Sequence, residues 1–113
     1  MWSVGNWLKR VRISMRGFAL WLKVGYPFVI LFLAVLIAAL MRGANWLHIW
    51  IILTLGTTLT IVEMINYAIE RLCNFVCKNK QNDNIRAIKD ILAGAVLIAG
   101  LALGVVGLWI IIA

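Results

Sequence analysis

Long apolar stretches, separated by short charged segments, dominate this sequence. Three of them contain no charged residue: Val24 to Met41, Gly43 to Val62, and Ile91 to Ala113. A helix of roughly 20 apolar residues crosses a hydrocarbon core of about 30 Å. Backbone groups in lipid must also be hydrogen-bonded within the protein, which favours helices. The pattern therefore predicts an all-α integral membrane protein with three transmembrane helices.

These stretches divide the 113-residue chain into the segments of a single membrane domain. We expect a first transmembrane helix over 24–42 and a second over 45–77, the latter with an extension beyond the membrane. A loop over 78–84 is expected to lead to a third transmembrane helix over 85–113. The remaining segment, 1–23, is predicted to be a separate N-terminal surface helix.

The first 23 residues combine a basic face with an apolar face. With successive residues about 100° apart on a helix, Lys9, Arg12, Arg16 and Lys23 fall within about 60° of one another. The opposite side carries mainly apolar residues, namely Val4, Trp7, Leu8, Val11, Met15, Phe18 and Leu22. A basic amphipathic helix of this kind is suited to an anionic membrane surface. A purely anchoring role and a direct role in a functional site are both compatible with this pattern.

The composition narrows the possible classes of protein. Hydrophobic residues make up 65% of the chain and charged residues 13%, and the mean hydropathy is +1.02. Soluble domains are about half apolar, so a free soluble enzyme, a disordered tail and a disulfide-stapled secreted domain are all excluded. Cys73 and Cys77 are expected to be free thiols, because the cytoplasmic side is reducing.

The distribution of the basic residues predicts the orientation in the membrane. Of the 11 lysines and arginines, only Arg42 lies between the first and second apolar stretches. The others precede the first stretch or lie between the second and third. Because positive residues favour the cytoplasmic side, we expect the N-terminus and the 71–90 segment in the cytoplasm.

A polar stripe follows the second apolar stretch. Glu63, Asn66, Glu70 and Asn74 fall within about 80° of one another at helical spacing. Carboxylates in or at the edge of a bilayer are costly and normally face protein or water. Glu63 directly follows the apolar run, so a solvated helix end explains it poorly. We therefore interpret these four residues as a functional stripe.

A second polar cluster lies across the predicted loop, at Arg86, Lys89 and Asp90. Spacings of three and four residues place them on one face of the third helix. A carboxylate can hold Mg²⁺ bound to phosphates, and in phosphoryl transfer lysine neutralises phosphate charge while another carboxylate accepts a proton. The two clusters together predict phosphoryl transfer, although no Walker A motif or kinase glycine loop is present. Further along, Gly100 and Gly104 form a G-x-x-x-G pattern that predicts close helix packing.

Three short motifs resemble one family. The motif E-x-x-N-x-A-I-E spans Glu63 to Glu70, Lys89 and Asp90 follow, and A-G-A-V-L-I-A occupies 93–99. This arrangement is similar to that of the prokaryotic diacylglycerol kinases, a family that includes undecaprenol kinases. The resemblance implies a homotrimer in the bacterial cytoplasmic membrane, with active sites at subunit boundaries. It also implies transfer of the ATP γ-phosphoryl group to a lipid hydroxyl.

The same resemblance implies a role for each matched residue. Glu63 would be the catalytic base, and Asn66 would organise that face. Glu70 would bind the Mg²⁺ that accompanies ATP. The other nucleotide-binding positions would be Asn74, Arg86, Lys89 and Asp90.

The N-terminal half both matches this family and departs from it. Ser14, Arg16 and Gly17 look like the small-polar, basic and glycine pattern of the family's surface helix, so Ser14 and Arg16 are expected to contact the lipid substrate. The family's metal-sharing glutamate near the end of that helix is missing, because residues 22–26 contain no acid. Asn74 also replaces the family's aspartate. Fewer carboxylates predict weaker metal binding.

Two other functions remain open at this stage. A non-catalytic membrane subunit of a larger complex would explain the absence of acids from the first 62 residues. A small transporter or channel would need charge along a membrane pathway, whereas the charged face lies near one surface. No nucleic-acid partner is expected.

Overall fold

Three long helices account for the secondary structure of the described residues. The computed structural model describes residues 4–78 and 82–112, and within them α1 is Val4–Met41, α2 is Trp46–Cys77 and α3 is Asp83–Ile112. Each helix is long and apolar enough to cross a membrane. The prediction of an all-helical protein with three such helices is therefore confirmed.

The turn between α1 and α2 has a well-defined hydrogen-bonding pattern. The Ala44 N–H bonds to the Ala39 carbonyl, and the Gly43 N–H bonds to the Leu40 carbonyl, which is the Schellman pattern for a helix end. Gly43 has φ +73°, a conformation that glycine adopts without steric cost. Asn45 then caps α2, because its side-chain oxygen accepts a hydrogen bond from the His48 N–H.

At the other end of α2, Lys78 adopts a left-handed conformation with φ 45°, and its N–H bonds to the Asn74 carbonyl. The predicted loop over 78–84 includes residues 79–81, which lie outside the described residues. Helix α3 begins at Asp83, a favourable position for a carboxylate because of the positive end of the helix dipole.

Side-chain contacts tie the bundle together at the end that carries the α1–α2 turn. Arg42 Nε donates a hydrogen bond of 2.9 Å to the carbonyl oxygen of Ile111. A cation is favourable at that place because the last carbonyls of a helix lack partners within the helix. The His48 and Trp109 rings also meet edge to face, with their centroids 5.6 Å apart.

The apolar core lies between all three helices, and α2 and α3 make the most extensive contact. Its fully buried side chains include Ile52, Leu59 and Leu103. Glycine permits two close approaches. A Cβ at Gly56 would collide with the Phe32 ring of α1, and a Cβ at Gly107 would collide with Val35 of the same helix.

The two glycines of the G-x-x-x-G pattern do not make such contacts. Among the described residues of the chain, nothing lies within 4 Å of a Cβ built at Gly100 or Gly104. These glycines therefore make no close packing contact within one chain, and close packing against another subunit stays a prediction. Periodicity identifies a smooth helix face, but it does not identify which neighbour covers that face.

Helix α1 continues through the predicted boundary between the surface helix and the first transmembrane helix. It has no break at Lys23, although Pro27 lies inside it and lacks the N–H that would bond to the carbonyl four residues earlier. Residues 4–20 are all exposed. The molecule measures 49 × 43 × 24 Å, while the 32-residue α2 is about 48 Å long. The width of 43 Å is larger than that of three packed helices, which indicates that the N-terminal half of α1 points away from the bundle. Its placement on the membrane surface stays a prediction.

Most of the apolar surface of the three helices is exposed in the single chain. At most 22% of the residues in each apolar stretch are buried. A soluble monomer rarely exposes so much contiguous apolar surface, so lipid or other subunits must cover it. The thiols of Cys73 and Cys77 are free.

Candidate functional site

The polar stripe occupies the second half of α2, where the helix emerges from the packed core. Glu63 and Asn66 are half-buried, whereas Glu70 and Asn74 are exposed. Asn66 lies one turn after Glu63, near enough for its side-chain amide to stabilise the carboxylate, and Glu70 is near enough to interact with that carboxylate electrostatically. The structure thus brings the first three residues of the stripe into one interacting group.

One carboxylate oxygen of Glu63 is left without a hydrogen-bond partner among the described residues. This atom, Oε2, is buried. A buried acceptor without a partner costs about 1–3 kcal/mol, so such atoms are typical of sites that bind a ligand. Asn66 lies beside the carboxylate, and Oε2 remains available to accept a proton or a hydrogen bond.

Helix α3 reaches the same stripe through Lys89. Its Nζ donates a hydrogen bond of 2.8 Å to Oδ1 of Asn74. This contact spans the loop and brings the second polar cluster against the end of the first. Arg86 and Asp90 are exposed on the first turns of α3, near Lys89 in sequence. The predicted nucleotide positions therefore lie on two adjoining helix segments.

A groove runs between the N-terminal half of α1 and the stripe-bearing part of α2. Its volume is about 410 Å³, and we call it the α1–α2 groove. Its lining residues are Gly17, Leu20 and Trp21 from α1, and Met64, Tyr67, Ala68 and Arg71 from α2. Met64 and Tyr67 follow Glu63 by one and four residues, so the groove lies beside the polar stripe.

Trp21 is the most unusual residue of this groove. Its side chain is 3% exposed, and its indole N–H has no acceptor among the described residues. The ring packs onto the backbone of Gly25, where a Cβ would collide with it. Phe18 supports the ring from the preceding turn, with the two ring centroids 5.7 Å apart. The indole is consequently held in a fixed orientation.

A basic side chain lies at the α2 wall of the groove. The Arg71 guanidinium stands 5.8 Å from the centroid of the Tyr67 ring, which is within the range of a cation–π contact. Neither Trp21 nor this pair was expected from the sequence to belong to a site. The i, i+4 spacing of Tyr67 and Arg71 was a readable signal, whereas the role of Trp21 depends on the helix that α1 packs against.

The two residues that are predicted to contact the lipid lie closer to the N-terminus of α1 than the groove does. Ser14 and Arg16 are exposed, and the Ser14 hydroxyl donates to the Arg10 carbonyl within the same helix. Only the neighbouring Gly17 lines the groove. Contact of Ser14 and Arg16 with a lipid substrate therefore stays a prediction.

The acids of the polar stripe are suited to a divalent cation that is bound to a nucleotide. No group of three or more possible ligands among His, Cys, Asp and Glu comes together in the described part of the chain. Mg²⁺, however, commonly retains several waters and uses one or two carboxylates together with substrate phosphates. Glu70 is exposed and interacts electrostatically with Glu63, so these acids fit a Mg²⁺ ion that arrives with a nucleotide.

One protein family model matches this chain over most of its length. A family model described as prokaryotic diacylglycerol kinase matches residues 12–111. The chain belongs to the prokaryotic diacylglycerol kinase family. The match to this kinase family begins in the N-terminal half of α1 and ends in the last turn of α3. It includes the polar stripe, Lys89 and both walls of the α1–α2 groove. Searches of curated proteins and of solved structures give no significant match.

Proposed function

We propose that this protein transfers the γ-phosphoryl group of ATP to the hydroxyl group of a membrane lipid, diacylglycerol or undecaprenol, at the cytoplasmic membrane surface. Family membership points to lipid kinase activity. The observation that carries the proposal is the state of Glu63, whose Oε2 is buried beside Asn66 and has no hydrogen-bond partner among the described residues. A general base needs this arrangement, because it must be oriented and still be able to accept a proton.

In the proposed reaction, Glu63 acts on the lipid hydroxyl. The hydroxyl oxygen forms a bond to the γ-phosphorus, and the bond between that phosphorus and the bridging oxygen of ADP breaks. The hydroxyl proton passes to Glu63 Oε2, and ADP leaves with the electron pair of the broken bond. Asn66 maintains the carboxylate in the orientation that this transfer requires.

The nucleotide would bind where α3 meets the end of α2. Lys89 supplies positive charge for the phosphates, since catalysis of phosphoryl transfer consists largely of positioning and charge stabilisation. Asn74 holds Lys89 by the 2.8 Å hydrogen bond. Arg86 and Asp90 are exposed beside it and are proposed to complete the contacts with the nucleotide.

Glu70 would hold the Mg²⁺ ion of the nucleotide. When bound, the ion neutralises charge on the phosphate oxygens. Within the first 62 residues the chain has no acid that could supply a second carboxylate. We therefore expect weak affinity for free Mg²⁺ and binding mainly as the nucleotide complex.

We also propose that the protein works as a homotrimer in the bacterial cytoplasmic membrane. A Cβ built at Gly100 or Gly104 would meet nothing within the described chain, and neighbouring Leu101 and Leu108 are more than half exposed. A face of small residues allows helices of different copies to approach closely.

The N-terminus and the α2–α3 connection are proposed to be cytoplasmic. A single added cysteine tests this orientation in a variant whose Cys73 and Cys77 are replaced by serine. In right-side-out vesicles, a membrane-impermeant thiol reagent should label Ala44→Cys and not Asn84→Cys. The reverse pattern would contradict the orientation and place the site on the wrong side for cytoplasmic ATP.

A direct assay tests the proposed function. Purified protein in liposomes is given Mg²⁺ and γ-labelled ATP with diacylglycerol or undecaprenol. We expect label in one lipid product and none when Mg²⁺ is chelated. A folded protein that labels neither lipid would contradict the proposal.

The absence of acids from the first 62 residues favours one second candidate, a non-catalytic membrane subunit of a larger complex. It predicts no Mg²⁺-dependent binding of ATP and co-purification with a partner. Saturable binding of Mg·ATP to the isolated protein would exclude it.

A further inference from the structure

Two buried polar atoms near the site lack hydrogen-bond partners, and they are complementary. Within the described residues, Trp21 Nε1 is a donor without an acceptor, and Glu63 Oε2 is an acceptor without a donor. They lie on the two helices that form the α1–α2 groove. No other buried side-chain nitrogen or oxygen in the described part of the chain lacks a hydrogen-bond partner.

A hydroxyl group can satisfy both atoms at once. An alcohol oxygen accepts hydrogen bonds through two lone pairs and donates one through its proton. A water molecule could do the same, but it would not fill a groove of about 410 Å³ whose lining is mainly apolar. This volume falls within the usual range of small-molecule sites. A lipid alcohol matches both the polar end and the apolar body of the groove.

We propose that the Trp21 indole N–H positions the acceptor hydroxyl of the lipid in the α1–α2 groove, opposite Glu63. This inference rests on the proposed function and adds a positioning residue to it. One lone pair of the hydroxyl oxygen accepts the indole N–H, and the hydroxyl proton points to Glu63 Oε2. The remaining lone pair is then free to attack the γ-phosphorus.

The packing around Trp21 suits this role. Gly25 lets the ring lie against the backbone of α1, and burial to 3% exposure leaves it little freedom to rotate. A donor held in place before the substrate arrives costs little ordering entropy on binding. The same packing explains why this turn of α1 carries no larger side chain at position 25.

The groove also favours one class of acceptor. Its α1 wall presents Leu20 and Trp21, and its α2 wall includes Met64 and Tyr67. These side chains suit the hydrocarbon next to an uncharged head group. Arg71, the one charged residue that lines the groove in the described part of the chain, stands over the Tyr67 ring. We therefore assign the groove to a lipid with an apolar body and a free hydroxyl.

The kinetic test is Trp21→Phe, which removes the indole N–H and retains an aromatic ring. We expect kcat/KM for the lipid alcohol to fall about tenfold, the usual effect of losing one hydrogen bond to a buried group. The KM for Mg·ATP should stay unchanged. Trp7→Phe makes the same substitution on an exposed part of α1 and should leave both parameters unchanged. An unchanged kcat/KM for the lipid in active Trp21→Phe would overturn the inference.

A binding measurement on the wild-type protein does not require the variant to fold. The indole N–H signals are followed by NMR in detergent micelles during titration with dioleoylglycerol, and separately with its deoxy analogue. Phe substitutions at the other five of the six tryptophans identify the Trp21 signal by elimination. We expect that signal to move with the alcohol and not with the deoxy analogue. An equal response to both lipids, or no response, would overturn the inference.

The two proposals can fail separately. If the wild-type protein phosphorylates no lipid but its Trp21 signal responds to the alcohol alone, the proposed function is wrong and the lipid site stands. If the wild-type protein is active and the Trp21 signal ignores the hydroxyl, the function stands and the role of Trp21 is wrong.

Discussion

The Nζ of Lys89 donates a hydrogen bond to Oδ1 of Asn74 across 2.8 Å. This contact joins the first turns of α3 to the last turns of α2. Because Asn74 is neutral, it orients the ammonium group without cancelling its charge. Lys89 therefore keeps its positive charge for binding phosphate, and the site contains few carboxylates that could pair with Lys89 instead.

Replacing Asn74 by alanine should weaken nucleotide binding. Without its hydrogen-bond partner the Lys89 side chain gains freedom, so we expect the KM for Mg·ATP to rise about fivefold, in line with the loss of about 1 kcal/mol. The KM for the lipid should not change. Steady-state kinetics with each substrate varied in turn provides the measurement. Asn84→Ala removes an exposed amide elsewhere on α3 and serves as the control. Equal KM values for Mg·ATP in Asn74→Ala and wild type would show that the contact has no role in binding.

The close approach of α1 and α2 predicts a stability effect at Gly56. A Cβ there would collide with the Phe32 ring, and overpacking of this kind costs about 1–3 kcal/mol. Gly56→Ala should therefore unfold at a lower mole fraction of denaturing detergent than wild type. Gly17→Ala is the matched control, because no atom of the described residues lies within 4 Å of a Cβ built there and alanine favours an exposed helix by up to about 1 kcal/mol. If both variants unfold together, the proposed packing of α1 on α2 is incorrect.

Gly104 predicts an effect on assembly and not on the fold of one chain. A Cβ at Gly104 would meet nothing within the described residues of its own chain, whereas the side chain of Gly104→Ile would obstruct a second copy packed on that face. We expect it to dissociate the trimer, as measured by light scattering of the detergent-solubilised protein. Val105→Ile adds bulk at the next exposed position and should assemble normally. A Gly104→Ile variant that remains trimeric would place the subunit contact on another face.

Much of the fold follows from the sequence for one physical reason. Lipid offers no hydrogen-bond partners to the backbone, so uncharged runs such as 24–41 and 91–113 are expected to be helical. The turn at Gly43 follows similarly from local chemistry. The continuity of α1 does not follow, since a helix can cross from the membrane surface into the bilayer without a signal at any single residue.

The candidate site likewise contains residues that the sequence identifies and others that only the packing of the helices identifies. Glu63, Asn66 and Glu70 share one helix, so their spacing alone places them on one face. Trp21 could not be found in this way, because its importance depends on the packing of α1 against α2. The same applies to the glycines: the pattern drew attention to Gly100 and Gly104, whereas tertiary packing occurs at Gly56 and Gly107.

Glu70 predicts the metal dependence of the activity. Glu70→Gln replaces the proposed metal-binding carboxylate by a neutral amide of the same size, so the Mg²⁺ concentration for half-maximal activity should rise at least tenfold. Metal affinity follows the charge and number of ligands. Asp83→Asn removes a carboxylate from the start of α3 and should leave the Mg²⁺ dependence as in wild type. An identical shift in both variants would indicate a general effect of surface charge.

The most direct test of the account is single-turnover transfer of label from γ-labelled ATP to the lipid, measured for wild type and for Glu63→Gln in liposomes. Glutamine retains the shape of the side chain but cannot accept the proton, and general-base catalysis contributes about 10²–10⁴-fold. We predict transfer by wild type and a loss of at least a hundredfold in Glu63→Gln, with binding of Mg·ATP retained. Transfer at the wild-type rate by a folded Glu63→Gln variant would contradict the assignment of Glu63 as the base on which the account depends.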